Sequence, residues 1–79
     1  MTDTIKDILI ELKRIKKATP NYPNHICGKV ALIAGKVGRI SSLSVIDKYR
    51  NIPTKEAMIK SAKKTAAECI RFIESLEKE

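Results

Sequence analysis

Two proline-bearing segments, Thr19-Pro20-Asn21-Tyr22-Pro23-Asn24 and Asn51-Ile52-Pro53-Thr54, divide this chain into three stretches. Proline removes a backbone donor, and it disfavours helical geometry in the residue before it. A helix arriving at either segment therefore ends there. Each stretch between the breaks spaces its apolar residues three and four apart, which is the period of a helix and not of a strand. No strand hairpin, internal repeat or low-complexity segment competes with this pattern. The chain is thus expected to be all-α, a small bundle of three to four helices, with residues 1–79 forming one helical domain.

The first stretch starts at Asp3 or Thr4, either of which is suited to cap a helix. Ile5, Ile8, Leu9, Leu12 and Ile15 then make one apolar face. Acids Asp3, Asp7 and Glu11 stand near its start and the cations of Lys13–Lys17 near its end, matching the helix dipole. The second stretch carries Ile26, Val30, Ile33, Ala34, Val37 and Ile40 at helical spacing. Ser41-Ser42 weakens it. Leu43, Val45, Ile46 and Tyr49 either continue that helix or form a short separate one. In the third stretch Thr54 is the expected N-cap. Ile59, Ala62, Ala66, Cys69, Ile73 and Leu76 alternate three and four apart, a narrow seam suited to close packing in a core or a dimer interface.

Length sets a limit on stability. A core built from 79 residues supplies only about 3–5 kcal/mol, and chains this small often complete their core by oligomerising. Cys27 and Cys69 are expected to be reduced thiols, because two cysteines without CxxC spacing do not make a disulfide framework. The polar, acidic N-terminus does not read as a targeting segment, and no apolar run approaches the roughly 20 residues that span a bilayer. A cytoplasmic location without membrane contact is expected.

The net charge of +7 is concentrated centrally. Between Lys13 and Lys64 stand thirteen cations against only Asp47 and Glu56. Such asymmetry points to an anionic partner, whether nucleic acid, a nucleotide or an acidic protein surface, unless it only solubilises the chain. Within this region Gly35-Lys36-Val37-Gly38-Arg39 is the oddest segment. Each glycine costs a helix about 1 kcal/mol relative to alanine. Close backbone packing or a nearby ligand is expected to offset that cost.

Established catalytic motifs do not account for these residues. The GxxxxGK[ST] phosphate loop is absent, since Val30 and Val37 stand where glycine and Ser or Thr are needed. His25, the one histidine, lacks enough companions for zinc, and no metal site is expected. No nucleophile–base pair is indicated among Ser41, Ser42 and Ser44. Ala34, Gly38, Ile40 and Val45 approximate a helix-turn-helix pattern, with Arg39, Lys48 and Arg50 placed to meet phosphates, but the spacing is one residue too long.

The segments His25–Ser42, HICGKVALIAGKVGRISS, and Ala62–Leu76, AKKTAAECIRFIESL, resemble small helical phage proteins related to the MazG-like nucleotide pyrophosphohydrolases. The resemblance covers about two thirds of the chain and rests mostly on small and apolar residues. It implies an all-α bundle assembled into dimers or tetramers, with a site between helices where carboxylates hold magnesium against a nucleoside triphosphate. The departures are chemical. Aligned on Val37-Gly38, the acids of the family's box fall on Gly35, Lys36 and Arg39, and those of the later helix fall near Lys60 and Ser61. Magnesium needs hard anionic oxygens, so metal-dependent hydrolysis is not expected. Cations in those places suit phosphate directly. The resulting expectation is a non-catalytic protein with no cofactor, a phage-type sponge that sequesters a cyclic nucleotide or related host immune signal. Its expected ligand-binding residues are Lys36, Arg39, Lys60, Lys63, Lys64 and His25. A helix-turn-helix-like nucleic-acid module, a residual pyrophosphohydrolase and a protein inhibitor with a basic face are the alternatives.

Overall fold

The computed structural model describes residues 2–78 and contains three helices, α1 (Thr2–Ala18), α2 (Ile26–Arg50) and α3 (Lys55–Glu77), with no strand among those residues. The breaks fall at the two proline-bearing segments. Thr19 closes α1 by donating both its backbone N–H (2.9 Å) and its hydroxyl (2.8 Å) to the Ile15 carbonyl. Asn51 ends α2 in the left-handed conformation, φ 53°, which asparagine tolerates better than most residues.

α2 is one unbroken helix of 25 residues. Ser41 and Ser42 do not interrupt it, and Ser44 satisfies its hydroxyl on the Ser41 carbonyl at 2.7 Å. No turn separates Gly38 from Val45, so the helix-turn-helix geometry does not form. The expected offset for the glycines is also missing within the chain. A Cβ built on Gly35 or Gly38 would meet nothing within 4 Å. The glycine with a close neighbour is Gly28, where a Cβ would meet Pro23 Cβ at 3.0 Å as the connector crosses the start of α2.

Thr54 stands at the N-cap of α3, but its side chain does not cap it. The hydroxyl instead donates to the Leu43 carbonyl on α2 at 2.9 Å, and the Thr54 N–H donates to Asp47 Oδ2 at 2.9 Å. This pair of bonds fixes the α2–α3 hairpin and the rotation of α2 about its axis. As a result α2 covers only part of the apolar stripe that its sequence displays. Lys29 and Leu43 are its buried residues, and Ile33, Lys36, Ile40, Ile46 and Asp47 are half-buried. Ile26, Val30, Ala34 and Val37 are exposed.

α3 lies between the other two helices. It packs against α1 on one side and α2 on the other, while α1 and α2 make no backbone approach to each other. Leu12 and Ile15 of α1 close on Ala67 of α3, with Ile8 and Ile70 around them. No large side chain is completely buried among the described residues. The molecule measures 45 × 29 × 19 Å, a single layer less than two helix diameters thick. The α3 seam faces outward. Ile59 is 46% and Ile73 53% exposed, Leu76 and Ala62 are exposed, and Ala66 and Cys69 are half-buried. Both cysteines are free thiols. No described helix is long and apolar enough to cross a membrane.

Candidate functional site

Lys60, Lys64, Glu68 and Arg71 recur four, four and three residues apart on α3. Helical geometry lines them along one side over about 17 Å. α1 brings Asp7, Glu11 and Arg14 to this side and α2 brings Lys36. These groups border two cavities of about 330 Å³ each. One lies between α1 and the first half of α3, lined by Asp7, Glu11, Glu56, Ile59, Lys60, Lys63 and Lys64. The other lies over the second half, where Arg14, Tyr22, Leu32, Lys36, Glu68 and Arg71 meet. Another hollow, of about 490 Å³, runs along α1 from Ile5 to Lys16 and is mostly apolar.

Several of the charges are paired across helices. Lys63 Nζ lies 2.7 Å from Asp7 Oδ2, and Lys16 Nζ lies 2.8 Å from Glu74 Oε1. Arg14 Nε donates to Glu11 at 3.0 Å. That bond holds the Glu11 carboxyl below the usual carboxylate range, helped by the charges of Arg14, Lys64 and Lys36 and opposed by burial. Lys36 Nζ reaches Glu68 Oε2 only at 3.9 Å. Lys60, Lys64 and Arg39 have no carboxylate within 4 Å among the described residues.

Glu68 is the most unusual group in the second cavity. It is 4% exposed, and its Oε1 has no hydrogen-bond partner. An unsatisfied buried acceptor costs on the order of 1–3 kcal/mol, more when charged. Beside it, Arg71 is held firmly. Its Nη2 donates to the Thr19 carbonyl at 2.7 Å and its Nη1 to Thr19 Oγ1 at 3.1 Å, and its guanidinium lies 4.5 Å from the Tyr22 ring centroid. Lys29 Nζ lies over the same ring at 5.8 Å.

The structure therefore gathers Lys36, Lys60, Lys63 and Lys64 on one side of the layer, though in two cavities and with Lys63 engaged by Asp7. Arg39 is exposed on α2 and lines neither cavity. His25 is separated from the cluster. It is the exposed N-cap residue of α2, eleven residues and about 17 Å along the helix from Lys36, and its side chain makes no capping bond. Arg14, Tyr22, Glu68 and Arg71 are the residues that the sequence pattern did not bring into the site. The available signal was a charge set inside an apolar run, Glu68 after Ala66-Ala67 and Arg71 between Ile70 and Phe72. Among the described residues no three His, Cys, Asp or Glu side chains converge as a metal site. Compared with known proteins, the chain matches no family model, no curated protein and no solved structure.

Proposed function

We propose that this chain binds a nucleotide-derived anion along the charged side of α3 and holds it without turnover. The observation that carries the proposal is Glu68, a buried carboxylate with one unpaired oxygen, flanked by cations on the same helix side. Turned toward the cavity that it lines, the Glu68 carboxylate can accept a hydrogen bond from a purine amide or amine edge. Phosphates go to Lys60 and Lys64, which have no carboxylate partner, and to Lys36, whose contact with Glu68 is loose. Each cavity's volume falls in the range of small-molecule sites. The MazG-like resemblance adds a reason to look among nucleotides. A cyclic nucleotide or related signal sequestered from a host is the form the proposal takes.

The test is calorimetric titration with cyclic di- and trinucleotides, ADP-ribose derivatives and nucleoside triphosphates with magnesium. One class is expected to bind and to be recovered intact. Lys64→Glu and Glu68→Gln are each expected to weaken it at least tenfold, and Arg39→Ala to change it little. Absence of binding across the panel overturns the proposal, and release of pyrophosphate overturns the claim of no turnover. Binding of duplex DNA alone, with affinity falling steeply with salt, would transfer the site to nucleic acid.

A further inference from the structure

We infer that the outward seam of α3 is the surface on which a second copy of this chain docks, antiparallel, about a two-fold axis between Ala66 and Cys69. This inference does not rest on the proposed ligand. Three observations carry it. First, Ile59, Ala62, Ala66, Cys69, Ile73 and Leu76 follow a strict 3-4-3-4-3 spacing, the a and d pattern of a helix–helix seam, yet the chain buries none of them deeply. Ala62, Ala66, Cys69, Ile73 and Leu76 fall on the side of α3 turned away from Lys60, Lys64 and Arg71. Ile59 also lines the cavity of Lys60 and Lys64, so a docked copy would border that cavity and leave the one at Glu68 and Arg71 clear.

Second, the exposed area is too large for a finished monomer. A compact monomer of 8.8 kDa exposes about 4,800 Å². This chain exposes 6014 Å². The excess, about 1,200 Å² per chain, is what each partner of a stable homodimer covers. A domain also normally needs two packed layers to shield an apolar face, and this molecule is one layer.

Third, the order of side-chain sizes along the seam selects the direction. Antiparallel pairing sets Ile59 of one copy against Leu76 of the other, Ala62 against Ile73, and Ala66 against Cys69. Each large residue meets a smaller or equal one, and the two small central pairs let the backbones approach closely. Parallel pairing would stack alanine on alanine twice and cysteine on cysteine, leaving three thin layers beside the bulky pair at Ile73.

Sedimentation equilibrium on the full chain in the micromolar range is expected to give the mass of two copies. Ala66→Glu is expected to reduce it to one. A wild-type chain that stays single, or an Ala66→Glu chain that stays double, overturns the inference. Because Ala66→Glu risks unfolding a chain with so small a core, cross-linking provides an independent readout. Ile59→Cys and Leu76→Cys are each made with Cys27 and Cys69 changed to serine. Under mild oxidation a covalent dimer is expected only when the two variants are mixed. Covalent dimers from either variant alone would overturn the antiparallel arrangement.

Discussion

Tyr22 stands in the connector between α1 and α2, yet Arg71 of α3 and Lys29 of α2 both lie over its ring. One residue in a turn thus ties three helices. Burial raises the Tyr22 pKa above its ordinary 10.0, and the Glu68 charge raises it further, while Arg71 acts the other way. The sign of the linkage follows. A folded-state pKa above the unfolded value means that the stability share of neutral Tyr22 is complete below about pH 10. It is lost as pH rises through the folded value. With Tyr49 changed to Phe, Tyr22 is the only tyrosine, and its phenolate absorbance can be followed alone. The midpoint is expected above 10 in the native protein and back at about 10 in denaturant. A native midpoint at or below 10 would contradict this packing.

The second helix tests how element-level physics trades against local propensity. α2 carries Gly28, Gly35 and Gly38, all in helical positions, but only Gly28 has a close neighbour where a Cβ would stand. Gly35→Ala and Gly38→Ala are therefore each expected to stabilise the chain by about 1 kcal/mol, read as a higher denaturation midpoint without change of slope. Gly28→Ala is expected to gain less than either, because the new Cβ would press on Pro23 Cβ at 3.0 Å. A loss of stability in Gly35→Ala would mean that a ligand or partner approaches the helix there.

Helix boundaries were legible in the sequence because prolines and apolar period both mark them locally. The core-facing side of α1 was legible in part, through Ile8, Leu12 and Ile15. The rotation of α2 was not, since it is set by Thr54 bonding to Leu43 and Asp47 across the hairpin, a tertiary contact that overrides the apolar stripe. For the same reason the N-cap expected at Thr54 has the right position and a different bonding partner. Of the candidate site, the lysines were visible as net charge. Glu68 and Arg71 were not, because their roles depend on which helices flank α3. The seam was expected to pack in a core or a dimer interface, and within the chain it is not core: Ile59, Ala62, Ile73 and Leu76 are exposed, because an apolar period does not distinguish a core from an outer face.

At the scale of the whole molecule, three helices lie side by side in one layer with unlike surfaces. One carries the charges of Lys36, Lys60, Lys64, Glu68 and Arg71 around two cavities. The other exposes the Ile59–Leu76 seam, and further apolar residues such as Ile5 and Leu9 on α1 are also uncovered. Pairing through the seam would supply the second layer and leave the cavity at Glu68 and Arg71 open to a small anion, with Ile59 bordering both the seam and the other cavity. Native mass spectrometry of the protein taken from cells reads both properties at once. The expected result is a species of twice the 8.8 kDa chain mass that carries one or two copies of a phosphate-containing adduct, with the adduct lost in Glu68→Gln and the pairing lost in Ala66→Glu. A single bare chain, unchanged by either substitution, would contradict the account.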